Sequence, residues 1–398
     1  MLHRLPLLLL LSASSLSAQP SGSAVQTNNE FAFKFFQQAE RKKPNFCVSP
    51  YSITSAFAMC YAGAAGETQK EFQQVFGFGA NNSATHQAFG KLQADLLARN
   101  NPGVQFALAN RLFPDAKYAF SQDYLDGVQK HYGASLKKFN YRSAYEPARK
   151  EINKWVEAQT HERIKDLLPQ GALSAQTRLV LVNTLFIKGA WEAPFEAEAT
   201  RTAAFTDDAG VKTNVRMMSQ TYYFNYAQDK EFQVLELPFK GDSLAMLFIL
   251  PKTGLTLDGT RASLTKEWYE KTIAGMHSLK VVCNIPKFKT ECDLQLNKTL
   301  KRMGLNSAFT EYVADFSGMD PAKQLYISAA FHKTFVEVDE KGAEAAAATA
   351  IDMAEPCSVI AAPPVFNADH PFFYILRDKI TGTVLFIGEM KEPTPAVR

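Results

Sequence analysis

Few residues in this sequence sit at spacings that perform chemistry. His161-Glu162 opens the pattern of a zinc-hydrolase helix, but position 165, where the second metal-binding histidine belongs, is Lys165. No Gly-x-Ser-x-Gly elbow exposes a nucleophilic serine, and no glycine-rich loop of the P-loop or dinucleotide type is present to cradle phosphate. The 7 histidines fall into no Ser, His and Asp order that would suggest a triad. His161 and His370 therefore read as a surface and a turn histidine. A hydrolase is disfavoured, and the chain is expected to be no enzyme, with neither a cofactor nor a metal.

The cysteines point the same way. Cys47, Cys60, Cys283, Cys292 and Cys357 make an odd set with no Cys-x-x-Cys spacing, which argues against a zinc site or a disulfide scaffold and leaves at least one thiol free or paired between chains. Cys60, inside the apolar run Ala56 to Ala62, reads as a small core residue.

One segment is unusual for another reason. Val338-Asp339-Glu340-Lys341-Gly342 leads into Ala343-Glu344-Ala345-Ala346-Ala347-Ala348-Thr349-Ala350. By propensity Glu344 to Ala350 suits a short surface helix, since Ala is the best helix former. In an extended chain, however, Ala343, Ala345, Ala347, Thr349, Ile351 and Met353 share one face, while Glu344 and Asp352 fall on the other. Such a strand could slip between two others, with small side chains toward a core and carboxylates toward water. Helix, coil and inserted strand are all open to it.

The rest of the chain must position that segment. His3 and Arg4 precede the apolar run Leu5 to Leu11, and small residues follow to Ala18, which is the pattern of a secretory signal over residues 1–18. That run is too short to span a bilayer, and no later stretch reaches the ~20 apolar residues a membrane helix needs. Thr27-Asn28-Asn29-Glu30 fits a capping box ahead of a helix carrying Phe31, Phe35 and Phe36. Ser52 to Ala65 reads as a buried helix closed by Gly66, and Thr85 to Arg99, Gln122 to Tyr132 and Glu151 to Gln159 as amphipathic ones. Strands are expected at Arg178 to Lys188, Phe232 to Pro238, Leu244 to Leu250, Lys280 to Lys289, Thr334 to Val338, Phe372 to Arg377 and Val384 to Glu389.

With no repeat and no composition break, residues 19–398 read as a single α+β domain. Of 398 residues 46% are hydrophobic, enough for a sizeable core, and 43 basic against 40 acidic residues leave a net charge of only +3. That balance gives no electrostatic footprint for nucleic acid or an anionic membrane. Two sequons, at Asn81 and Asn297, would permit glycosylation.

Glu340 to Ala350 resembles the mobile hinge of the serpins, and the likeness extends over nearly the whole chain after the signal. Asn45-Phe46-Cys47-Val48-Ser49-Pro50-Tyr51-Ser52-Ile53 is similar to that family's early signature, and Val182 to Phe195, with Asn183-Thr184-Leu185-Phe186 and Trp191, to its central one. Asn367-Ala368-Asp369-His370-Pro371-Phe372 and Leu385-Phe386-Ile387-Gly388 resemble its C-terminal hairpin.

The resemblance implies helices packed around a large central β-sheet with smaller sheets, and an exposed reactive loop over about residues 340–364. It implies a hinge of Glu340, Gly342, Ala343, Glu344, Ala345, Ala346, Ala347, Ala348 and Thr349. Ser49, Ser52, Asn183 and His332 match the polar shutter under the sheet, and Trp191 the breach where the loop enters. The implied activity is suicide inhibition of a serine protease, whose acyl-enzyme is trapped as the cleaved loop inserts. Family spacing from Glu340 puts the reactive bond at Pro356-Cys357, yet proline is a poor residue before a cut, so Met353, Ala354 and Glu355 stand as alternatives.

The implied partner is an extracellular serine protease, elastase-like, chymotrypsin-like or acid-preferring, with a cysteine protease as a cross-class alternative. A monomer is expected. A carrier, chaperone or storage protein of the same family is the other reading, disfavoured by the small residues Ala343, Ala345 and Ala347. A heparin activator is not expected, because Gln87 to Arg99 carries only Lys91 and Arg99 as bases.

Overall fold

The computed structural model describes residues 24–343 and 362–396, except for the side chains of Ala109, Asn183 and Thr184. The signal segment 1–18, hinge residues Glu344 to Thr349 and the candidate cleavage residues Met353 to Cys357 lie outside the described residues.

Helices gather ahead of the sheets, as the periodicity predicts, but their starts differ. α1 (Ala24–Gln38) begins upstream of Thr27, so Thr27-Asn28-Asn29-Glu30 is not a capping box. Tertiary partners claim those side chains instead: Asn28 Nδ2 donates to the Val384 carbonyl at 2.9 Å, Asn29 Nδ2 to that of Gly382 at 2.8 Å, and Thr54 Oγ1 to Asn28 Oδ1 at 3.0 Å. α2 (Pro50–Tyr61) starts at Ser49, whose Oγ accepts from Ser52 N, with Pro50 in the first turn, where a missing N–H costs nothing.

Gly66 does not close α2. With φ +55 it opens α3 (Gly66–Phe76), a helix the periodicity did not reveal. α5 (Gln122–Tyr132) follows expectation, while α4 (Asn82–Leu97), expected over Thr85 to Arg99, begins after its cap Asn81 and ends at Leu97. α6 (Tyr141–Gln159) starts well before Glu151, running through a non-helical Ala144 and past Pro147.

The strands are β1 (Phe46–Val48), β2 (Val104–Pro114), β3 (Ser135–Leu136), β4 (Leu179–Ala190), β5 (Arg201–Thr206), β6 (Lys212–Gln228), β7 (Phe232–Pro238) and β8 (Leu244–Pro251). They continue as β9 (His277–Pro286), β10 (Phe288–Gln295), β11 (Phe331–Val338), β12 (Gly342–Ala343), β13 (Val365–Asn367), β14 (Phe372–Asp378) and β15 (Val384–Met390). The single strand expected over Lys280 to Lys289 is in fact two, parted at Lys287 just after Pro286 ends β9.

Three sheets result: nine strands in the order β1-β15-β14-β8-β7-β6-β9-β13 with β5 beside β6, four in the order β12-β4-β2-β3, and the pair β10-β11. β4 shows how the layers are built. Its odd-numbered Leu179, Leu181, Leu185 and Ile187 join the main core with α1 and α2, while Val180 and Val182 turn outward into a second core under α6 with Ile152 and Val156. Among the described residues no helix is long and apolar enough to cross a membrane.

Candidate functional site

The four-stranded and two-stranded sheets face each other across an opening. β12 runs antiparallel to β4, with Gly342 opposite Ala190 and Ala343 opposite Gly189. The bridge between Asp339 and Gly342 makes β12 antiparallel to β11 as well. β4 and β11 are therefore parallel to one another, and among the described residues they share no ladder below β12. Between parallel strands spaced to admit one strand antiparallel to both, the facing N–H and C=O groups below β12 have no ladder partner among the described residues. An opening of this kind accepts an extended chain.

Its upper end is a tight turn held on several sides. Asp339 N donates to the Gly342 carbonyl at 3.0 Å and Gly342 N back to Asp339 at 3.3 Å, closing a two-residue connection through Glu340 and Lys341. Gly342 has φ +152, and a Cβ there would come within 2.0 Å of the Gly189 carbonyl, so only glycine fits. The Trp191 ring stacks on Phe239, centroids 4.7 Å apart and 13° from coplanar, and its Nε1 donates to the Asp339 carbonyl at 3.0 Å. Phe195 N donates to the Glu340 carbonyl at 2.8 Å, and Lys287 Nζ lies 2.7 Å from Glu340 Oε2. Burial alone would raise the Glu340 carboxyl, but the hydrogen bond from Lys287, its own backbone N–H, the Thr200 hydroxyl and the Lys287 charge together hold the group below its ordinary range.

The lower part of the opening lies over the start of α2. Ser49 N donates to His332 Nε2 at 3.1 Å, and Thr334 Oγ1 donates to the Cys47 carbonyl at 2.9 Å, so the strand edge is tied to the chain entering α2. Accepting at Nε2 makes His332 the neutral Nδ1–H form. Burial pushes its pKa down to about 3, the cost of lost hydration for the charged ring. Between β4, β11 and α2 lies a cavity of about 480 Å³, bordered by Ser52, Ala56, Leu181, Val182, Phe331 and His332. Among the described residues no group of His, Cys, Asp and Glu side chains could hold a metal ion.

A profile of the serpin (serine protease inhibitor) family matches residues 26–393. The chain belongs to the serpin family. This serpin is 37% identical over 380 residues to the human protein called leukocyte elastase inhibitor, covering 92% of this chain and 98% of that one. Its fold is similar to uncleaved ovalbumin, with a TM-score of 0.82 at 29% identity over 94% of this chain and 100% of that one. It is similar also to thyroxine-binding globulin solved in complex with thyroxine, with a TM-score of 0.82 at 27% identity and the same coverage. As a member of a family of protease inhibitors, this serpin is not an enzyme in the catalytic sense.

The structure brings Ser49, Ser52 and His332 together at the lower opening of the serpin sheet, all buried. Asn183 lies on β4 opposite Asn110, and its side chain is outside the described residues. Trp191 sits at the upper end, against the turn that carries Glu340 and Gly342. Asn81 is exposed and caps α4, its Oδ1 accepting from Ala84 N at 3.1 Å. Asn297 is half-buried, and both ends of its amide are engaged, with Ser328 and Ala330. Lys91 pairs with Asp95 and Arg99 with the buried Asp378, so neither base noted on α4 and after it is unpaired. His161 is exposed at φ +47, and His370 bridges Asp369 and the Pro251 carbonyl.

Four contributors to the site were missed at the level of sequence: Gly189, Phe239, Lys287 and Thr334. Each acts through a partner remote in the chain, as Lys287 does on Glu340. Only Gly189, within the run that resembles the central signature, carried any local signal.

Proposed function

We propose that this chain is an exported, single-turnover inhibitor of serine proteases, spent when its cleaved loop fills the opening between β4 and β11. Insertion of the cleaved loop is the established behaviour of serpins. The observation that carries the proposal for this chain is the register of β12. Continued past Ala343, that register would set Ala345 beside Ile187 and Val336, Ala347 beside Leu185 and Thr334, and Thr349 beside Asn183 and His332. On β11, Thr334, Val336 and Val338 are buried and face the main core. The small residues of the hinge would thus point inward, and Glu344, beside Lys188 and Glu337, outward.

About a dozen new ladder hydrogen bonds at a net ~1 kcal/mol each would yield on the order of 10 kcal/mol, comparable with the whole stability of a typical domain. A protease that attacks the loop would form its acyl-enzyme and be dragged by the inserting strand. Its oxyanion donors and triad work only when held to fractions of an ångström, so distortion would stop deacylation. The name of the human relative supports an elastase-like target, within the wider set of chymotrypsin-like and acid-preferring enzymes.

The likeness to thyroxine-binding globulin favours one other reading, a carrier. The hinge composition speaks against it, since a chain whose loop stays out has no need of alanine at 343, 345 and 347.

The test is to nick the loop and compare unfolding midpoints, then incubate the intact protein with a panel of serine and cysteine proteases. A large rise in midpoint together with a detergent-stable adduct supports inhibition. A nicked form that melts no higher than the intact one overturns it.

A further inference from the structure

We propose that Cys47 and Cys292 are a disulfide-forming pair, a modification site at the seam between the nine-stranded sheet and the β10-β11 pair. Cys47 lies on β1 opposite Gly388, and Cys292 on β10 opposite Thr334. Cys292 Sγ accepts a hydrogen bond from Cys47 N at 3.1 Å and lies 3.7 Å from the Asn45 carbonyl. The sulfur of one residue thus rests on the backbone of the other. Standard bond lengths then bound the Cα–Cα separation at about 7.4 Å for a fully straight path, and an angle of about 120° at Cys47 N already brings it down to the ~6.8 Å upper limit of what disulfides span.

Both thiols are free and buried in this form, and Cys47 is raised first by burial and next by Cys292. Cys60 and Cys283 are raised by burial alone. Among the described cysteines the coupling is therefore confined to this pair.

Access is unequal. Cys47 is 0% exposed and Cys292 4%; burial holds the Cys292 thiol above its ordinary range, while the Cys47 N–H bond and the charges of Lys43, exposed at the surface, and Arg41 offset part of that rise. A low-molecular-weight disulfide approaching from the Lys43 side meets Cys292 first. The Cys292 thiolate attacks one of its sulfurs, forming a mixed disulfide and releasing one small thiolate, which takes up a proton. The Cys47 thiolate then attacks the Cys292 sulfur and expels the second. Two protein thiols are oxidised and one small disulfide is reduced to two thiols.

The bond closes a loop spanning 245 positions and pins the chain just ahead of Ser49 to the strand pair that carries His332. A link of that span restricts the unfolded chain far more than the folded one.

The experiment treats the folded protein with oxidised glutathione, blocks remaining thiols, and maps the peptides by mass spectrometry. Support is a linked peptide containing Cys47 and Cys292, loss of two alkylatable thiols per molecule, and a midpoint raised by several degrees that reductant reverses. The proposal is overturned if both cysteines are fully alkylated after unfolding, or if Cys292 keeps glutathione while Cys47 stays free. Cys292→Ser, whose hydroxyl can still accept from Cys47 N, must show neither link nor shift, and a shift of equal size in that variant also overturns the proposal. Should that variant fold poorly, the mapping on the unaltered chain decides alone.

Discussion

Ser49 N donates to His332 Nε2 at 3.1 Å, so the residue that caps α2 is also bonded to the edge of β11 that faces the opening. The bond exists only while the ring is neutral at Nε2. His332 is held down to about 3 by burial, and His86, hydrogen-bonded to the Tyr132 hydroxyl, to about 4 by burial and then by His131. Both lie below the ordinary 6.5, so the unfolded chain binds protons the folded one refuses.

Stability from these two groups is therefore complete above pH ~6.5 and is lost as pH falls, at up to ~1.4 kcal/mol per pH unit for each histidine. Chemical denaturation across pH 7 to 4.5 is expected to show that decline. His332→Gln should flatten it by about half, and an unchanged slope would mean His332 already titrates normally.

Gly342→Ala is expected to destabilise the intact protein by ~3 kcal/mol, because the added carbon meets the Gly189 carbonyl and the backbone angle disfavours any side chain. A denaturant midpoint measures it. A change under ~0.5 kcal/mol would mean the turn at Asp339 to Gly342 is not as tight as described.

Trp191 offers a graded pair of changes. Trp191→Phe keeps a ring against Phe239 but removes the bond to the Asp339 carbonyl, a loss of ~1 kcal/mol. Trp191→Ala empties a fully buried site and should cost ~3–5 kcal/mol. Equal effects in the two variants would assign the whole contribution to the indole N–H.

Glu236 is buried and receives Arg377 Nε at 2.8 Å and its NH2 at 2.5 Å. Glu236→Leu would strand the buried guanidinium, with an expected loss of ~3–5 kcal/mol by equilibrium unfolding. Glu236→Leu combined with Arg377→Met should recover most of it, and no recovery would refute the pairing.

Ala345→Glu tests the proposed faces. In the register of β12 a glutamate at 345 would enter the core unpaired, slowing insertion so that cleaved inhibitor is released before protease is trapped. The measurement is the number of inhibitor molecules consumed per protease blocked. An unchanged ratio would show that position 345 does not face inward.

α5 could be read to the residue because its signals are local: Ser121 caps it, Asp123 stands in its first turn, Lys130 and His131 in its last, and Gly133 closes it in the left-handed conformation. β7 was equally plain from its apolar residues, with Phe232, Val234, Leu235 and Leu237 all buried along it. β2 was not, since Gln105, Asn110 and Arg111 interrupt its apolar residues and the strand exists by pairing along β4. α1 was misjudged at its start because Asn28 and Asn29 bind a hairpin more than 350 positions away. At the site, Ser49, Ser52, Trp191 and His332 were reached through family likeness. The opening itself had no local trace: its two walls, β4 and β11, are separated by roughly 150 residues of chain and become neighbours only in the folded molecule.

The turn at Asp339 to Gly342 gives the opening a direction. With its first rung laid at Gly342 and Ala343 and no described residue filling the rest, it resembles a zip fastener engaged at one end. Each tooth can close only after the one above it, so a misfit at any depth arrests everything beyond, and how far the closure has run is a gauge of how far the entering chain has travelled.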